Sequence, residues 1–227
     1  VHLHGREMVS ASERRARLAN AVREALGRSS RARPAAAAPV DPAGRPLNLG
    51  FETGDLSGWT ATGTAFEHQP IEGDTVAPRR GDMRSMHEGT HWIGTYEISN
   101  SDAATGTLTS EPFMVTHPYA SFLVGGGHHD ETSVEILDPM GRVFYRASAR
   151  DNDAMHAAWV ALSTRIGQPF QLRLRADHRG HSDHVHFDDF RFHPHDPILR
   201  GNVRISISTS AVAGKLTAES PGATPLP

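Results

Sequence analysis

From Leu47 to Phe192 the chain is written in short alternating runs separated by Gly, Pro and Asp. In "PFQLRLRA", Phe170, Leu172 and Leu174 fall on one face and Gln171, Arg173 and Arg175 on the other. A period of two gives one apolar face only in an extended strand. "TSVEIL" sets Val134 and Ile136 on one face, and "GRVFYRA" follows a "DPMG" turn that folds it back as a hairpin. "SFLVGGG" begins as an apolar strand and breaks on three glycines, and "HVHFDDFRF" is the last strong strand. In that strand strict alternation sets Asp188 with Phe190 and Phe192, and Asp189 with Phe187. No helical pattern competes inside this zone. The expected fold class is all-β, an antiparallel jelly-roll β-sandwich of about 145 residues.

The flanks read differently. In residues 9–27, Leu18, Ala21, Val22, Ala25 and Leu26 stand at helical spacing, with Ser10 or Ser12 to cap the start and Gly27 to end it. A helix this short with so thin an apolar stripe is marginal alone in water. Residues 28–45 form an Ala/Pro-rich linker that has nothing to build a core from. The expected organisation is therefore a short helix in 1–27, a linker in 28–45, the sandwich in 46–193, and a C-terminal linker or the start of a further module in 194–227. The chain opens on Val1 and closes in a Pro-flanked polar stretch, so a piece of a longer exported protein is expected.

Composition removes several functions. A formal net charge of −3 with mixed signs gives no reason to expect nucleic acid as a partner. With no cysteine, the chain holds no disulfide, thiolate zinc site, cysteine nucleophile, iron–sulfur cluster or covalent c-type haem. No run approaches the ~18 apolar residues of a membrane span, and no signal peptide is visible at the N-terminus. There is no nucleophile elbow, HExxH or dinucleotide fingerprint. Glycoside hydrolysis needs two opposed carboxylates in a cleft, and no acidic residue here sits in a hydrolase motif, so the chain is not expected to be an enzyme.

"NLGFETGDLSGW", residues 48–59, carries Asn48, Phe51, Glu52, Gly54, Gly58 and Trp59. Phe51 and Trp59 are expected to anchor the first strand and its return, which leaves Glu52 as a carboxylate among aromatics, in need of a partner or an ion. This opening resembles the N-x-x-F-E-x-G-x-x-x-G-W of galactose-binding-domain-like carbohydrate-binding jelly rolls. With "GTHWIGTYE", "GTLTSEPFMVTHPYASFLVGGGHHDETSVEIL" and "HVHFDDFRF", the region of about 48–192 resembles the fructan-binding module associated with levanases. It is also similar to the N-terminal module of planctomycete exported cytochrome c-type proteins.

The resemblance implies an extracytoplasmic location and a structural calcium tying first and last strands through Glu52 and Asp188, against a carboxylate corner closed by hydrogen bonds alone. Family members read G-G-W-G-H before the last strand. Here His184 matches the histidine, while Ser182 or Asp183 stands at the tryptophan.

"RRGDM" and "THWIGTYE" supply Arg79, Arg80, Trp92, Tyr96 and Glu97, a set suited to stacking on a sugar face and binding its hydroxyls, although Trp92 serves equally as a core residue. His128, in the loop after "GGG", and His184 complete the candidate ligand-binding residues. In "DHRGHSDHVHFDDF" the imidazoles of His178, His181, His184 and His186 suit zinc or copper, but only His184 and His186 share a strand face. The expected function is a non-catalytic, monomeric carbohydrate-binding module for polysaccharide or oligosaccharide such as fructan. The alternative is a structural or protein-interaction sandwich of an exported haem-containing redox protein, in which Trp92 and Tyr96 would be buried and no polar pocket would form.

Overall fold

The computed structural model describes residues 36–177 and 184–196. The helix expected in 1–27, residues 28–35 of the linker, His178, His181, Ser182, Asp183 and the tail beyond 196 lie outside the described residues. Compact units comprise residues 1–35 and 36–227, and every described residue belongs to the second.

The strands in chain order are β1 (Trp59–Gly63), β2 (Ile71–Glu72), β3 (His91–Gly94), β4 (Gly106–Ser110), β5 (Phe113–Met114), β6 (Tyr119–Gly126), β7 (Thr132–Leu137), β8 (Val143–Ala147), β9 (Asn152–Ala161), β10 (Pro169–Ala176) and β11 (Val185–His193). One-turn helices α1 (Val76–Arg80) and α2 (Tyr96–Ser99) flank β3. One sheet runs β1-β4-β10-β7-β8, with β5 on β10, and the other β2-β3-β11-β6-β9. All the strand pairs are antiparallel. Without β1, β2 and β5, the sheets are β3-β11-β6-β9 and β4-β10-β7-β8. The chain crosses between them at every step except the β7–β8 hairpin, and this is the double Greek key of a jelly roll. The all-β sandwich expected from the alternation is what forms. Among the described residues no helix is long and apolar enough to cross a membrane.

The core forms where the alternation places it. Phe170, Leu172 and Leu174 of β10 face Val134 and Ile136 of β7 and the aromatic set Phe51, Phe122 and Phe187. Phe51 stacks on Trp59 at 5.1 Å and meets Phe187 edge-on at 6.0 Å, as the opening motif predicts. β7 is buried on both faces, because Arg146, Arg173 and Arg175 from its neighbours β8 and β10 close over the carboxylate of Glu135.

Several expectations are corrected. Phe187, Phe190 and Phe192 all enter the core, because a bulge between Asp188 and Arg191 inserts an extra residue, and Asp189 adopts φ 55° there. Asp188 therefore lies opposite Phe187 rather than with Phe190 and Phe192. The glycines of "GGG" do not end β6 at once, since Gly125 and Gly126 remain inside it and pair with His186 and Val185. The segment from Ala36 to Arg45, read from sequence as linker, is bonded to the sandwich. Ala37 and Phe192 exchange backbone hydrogen bonds of 2.9 Å, and Val40 accepts one from Met114.

A second, smaller core lies on the outer face of the β3 sheet, where Ile71, Val76 and Met155 pack with Trp92. Ile93 faces the main core, so its neighbour Trp92 faces outward and is covered there.

Candidate functional site

The register brings four strand ends together. His186 of β11 pairs with Gly94 at the end of β3, Val185 pairs with Gly126 at the end of β6, and Gly126 pairs with Asn152 at the start of β9. α2 and Asp102 follow β3, Asp153 lies in β9 and His184 precedes β11, while Arg79 and Arg80 of α1 reach the same rim of the sandwich from the segment between β2 and β3.

Arg79 of α1 donates to Oε1 of Glu97, while Thr75 donates to Oε2 at 2.7 Å. The Arg79 guanidinium also lies 4.6 Å from the centroid of Tyr96 and 3.1 Å from Oδ2 of Asp153. Arg80 meets the same Oδ2 at 3.2 Å. The other oxygen of Asp153, Oδ1, is 2.8 Å from Nε2 of His184, whose Nδ1 lies 2.9 Å from Asp102. The ring of His184 lies 5.1 Å from Tyr96 and 4.9 Å from His186. His186 donates from Nδ1 to the backbone carbonyl of Asp153 at 3.0 Å, which leaves Nε2 as its basic nitrogen.

The charges follow from these contacts. Burial opposes ionisation of Asp153, but the His184 hydrogen bond and the cations around it hold its carboxyl far below the usual carboxylate range. Burial likewise opposes charge on His184, yet hydrogen bonds to Asp153 and Asp102 raise its pKa. Burial, reinforced by the neighbouring His184, pushes His186 down to about 3, so its imidazole is neutral near pH 7.

Of the sequence-predicted ligand residues, Arg79, Arg80, Tyr96, Glu97 and His184 thus converge. Trp92 does not join them as a platform. It is 0% exposed, donates from Nε1 to Gly73, and meets His186 edge-on at 4.9 Å, so no ring face is open to a sugar. Its burial follows from Val76 of α1 and Met155 packing against it, with Ile71 of the neighbouring strand β2 beside it. His128 pairs instead with Asp151 at 2.8 Å, outside this set of contacts.

The expected metal residues meet at a separate corner. The Glu52 carboxylate accepts backbone N–H groups of Thr90 and His91, each at 3.0 Å, and Asp188 accepts those of Glu88 at 2.8 Å and Asp189 at 2.7 Å. Gly89 suits this corner, because its φ of 65° strains an L side chain and a Cβ on it would stand 2.5 Å from the carboxyl carbon of Glu52, displacing that carboxylate. Burial, with Asp189 and Glu52 nearby, pushes Asp188 up to about 8. A cleft of about 270 Å³ lies beside this corner, lined by Ala38, Leu47, Gly50, Glu52 and Asp189, and it shares no residue with the arginine rim.

No family model matches the chain. Over 148 residues it is 30% identical to the protein described as "Putative glycosyl hydrolase ecdE" from Aspergillus rugulosus, a match covering 63% of this chain and 20% of that protein. The chain thus spans about a fifth of the length of that relative. Among solved structures it is similar to TmCBM61, determined with β-1,4-galactotriose, at 16% identity and a TM-score of 0.44, covering 63% of this chain and 93% of that one. The K1 cleaved adhesin domain of Lys-gingipain from Porphyromonas gingivalis is similar at 8% identity and a TM-score of 0.39, covering 63% and 94%.

Asp102 and Asp153 were not legible as site residues. Asp153 is the second residue of β9, whose "NDAMHAAWVA" is rich in alanine and lacks the β-branched alternation that marks a strand. Pairing along β6 makes it one. The signal that was present is the histidine pair at 184 and 186, whose common strand face requires a buried partner nearby.

Proposed function

We propose that the sandwich is a non-catalytic carbohydrate-binding module of a larger exported protein, with its ligand seated on the Arg79–Arg80–Tyr96 rim. The observation that supports this reading is the convergence of guanidinium, carboxylate and imidazole groups from separate segments on one end of a jelly roll. Sugar hydroxyls are bound by such groups, and the partly open arginines can exchange internal partners for ligand oxygens. Fructan is the first ligand to try, on the sequence resemblance. Hydrolysis is not part of the proposal, because Glu97 and Asp153 are buried and engaged by Arg79, Arg80 and His184 instead of flanking an open cleft.

The test is a binding titration of the full chain against levan, inulin and a panel of other oligosaccharides. Arg80 is half exposed, so Arg80→Ala should leave the fold intact and weaken binding at least about tenfold. If the folded chain binds no glycan, the reading fails in favour of the structural or protein-interaction module, which the buried Trp92 already favours.

We further propose that calcium occupies the Glu52–Asp188 corner as a structural ion. The donors fit it: both carboxylates keep lone pairs beyond those taken by N–H groups, and a divalent cation would offset the burial of Asp188, and the repulsion from the half-buried Asp189 and the exposed Glu52, that raise it. A folded-state value raised from 3.8 to about 8 means that, through this group, the ion-free protein loses stability as pH climbs across that interval. Calcium needs the deprotonated carboxylate. Added calcium should therefore raise the melting temperature more above pH 8 than well below it, and Asp188→Asn should abolish the response. Equal melting with calcium and with chelator would leave the corner closed by hydrogen bonds alone.

A further inference from the structure

Beneath the arginine rim, Asp153, His184 and His186 place their ligating atoms within 4.8 Å of one another, and all three residues are buried. The geometry points to a binding site for a divalent transition-metal ion, with zinc as its probe, held by Nε2 of His184, Nε2 of His186 and Oδ1 of Asp153.

The decisive atom is Nε2 of His186. The residue is fully enclosed, its Nδ1 hydrogen is committed to the Asp153 carbonyl, and Nε2 is buried with no hydrogen-bond partner. The nearest acidic oxygen, Oε1 of Glu97, stands 3.7 Å away and carries lone pairs of its own. A buried acceptor facing another acceptor is costly, and a cation between them removes the cost.

Each prospective ligand is also held from behind. Asp102 accepts from Nδ1 of His184 at 2.9 Å, and the Asp153 carbonyl does the same for His186 at 3.0 Å, so both rings are held in the orientation that aims Nε2 inward. Arg79 and Arg80 bind Oδ2 of Asp153 and leave Oδ1 turned to the imidazoles. Carboxylate and carbonyl partners behind metal-bound histidines are the usual supporting layer of such sites, and two imidazoles with one carboxylate suit zinc, copper or iron.

In the metal-free arrangement the proton on Nε2 of His184 bridges to Oδ1 of Asp153. The ion replaces that proton, which goes to solvent. Zinc bonds of about 2 Å hold ligands roughly 3–4 Å apart, so a small inward movement of His186 suffices. Asp102, Asp153 and Glu97 outnumber Arg79 and Arg80, which leaves the surroundings acidic enough to accept a cation. The site does not rest on carbohydrate binding and stands if no glycan binds.

The experiment uses the full chain after chelator dialysis, with zinc followed by calorimetry and cobalt by its visible absorption. One equivalent of zinc is expected to bind, with a cobalt spectrum of nitrogen and oxygen ligation that calcium does not displace. His186→Gln should lose this site. Asp102→Asn should weaken it by about 10–100-fold, as expected when the group behind a histidine ligand is removed. His128→Ala should leave it unchanged. Absence of the one-equivalent site from the folded parent overturns the proposal. So does retention of parental affinity by both His186→Gln and Asp102→Asn, which would assign the binding to surface histidines. If His186→Gln does not fold, Asp102→Asn decides alone, with parental affinity again the overturning result.

Discussion

Trp92→Ala is expected to cost the sandwich about 3–5 kcal/mol, a loss read by denaturant unfolding before any ligand is added. Trp92 is 0% exposed and is the largest member of the small outer core with Ile71, Val76 and Met155. Removing it empties the space under α1, the helix that carries Arg79 and Arg80. The indole N–H also leaves the Gly73 carbonyl without its 2.8 Å partner. Glycan and metal binding should then fall together with stability, and in proportion to it at a given denaturant concentration. A Trp92→Ala chain as stable as the parent but unable to bind glycan would mean that the indole is an open platform and that the outer core is wrongly described.

Gly126→Ala is the second large effect. At φ 99° an L side chain is strained, and a Cβ there would stand 2.0 Å from the backbone oxygen of His184. Backbone cannot move aside as a side chain can, so the start of β11 must shift and carry His184 with it. We expect a loss of about 3 kcal/mol or more. The His184 titration, followed by NMR, should move back toward the ordinary histidine value as its contacts with Asp153 and Asp102 loosen. Because the raised folded-state value of His184 contributes stability below the unfolded pKa and loses it as pH rises through the folded one, the variant's deficit should be largest on the acid side. Gly125→Ala is the control: its nearest obstacle is Cγ of Met155 at 3.0 Å, the middle of a flexible side chain, and a smaller loss is expected. Equal stability of the two variants would remove the close approach of Gly126 to β11 as a structural requirement.

These two positions show how far a sequence can be read. "WIGTYE" left Trp92 open between core and ligand, because alternation states that Trp92 and Ile93 face opposite ways and nothing about what covers each side. "GGG" reads as a strand break because glycine weakens strands in general, whereas Gly125 and Gly126 stay in β6 where Met155, His186 and the His184 backbone crowd against them. The bulge at Asp188–Arg191 is of the same kind. A one-residue insertion reverses which aspartate follows which face, and "HFDDFRF" carries no mark of it.

The sequence by itself determined the layers of this protein. Apolar residues at every second position in β7 and β10, the turn chemistry of "DPMG" and the Phe51–Trp59 anchor are local requirements, satisfied only by strands with one apolar face turned to a core. It also named most of the arginine rim, since charged and aromatic side chains clustered in "RRGDM" and "WIGTYE" had few other uses. Only the tertiary structure decided that Asp153 meets His184, that His186 is sealed with one nitrogen unpartnered, that Trp92 lies beneath the site, and that Glu52 and Asp188 meet at a different corner. Those facts depend on contacts between residues distant in the chain, 19 apart for Trp92 and Gly73, 31 for Asp153 and His184, and 136 for Glu52 and Asp188. Burial and pairing there are set by strand register and by whichever element crosses above, and neither is written in the residues themselves.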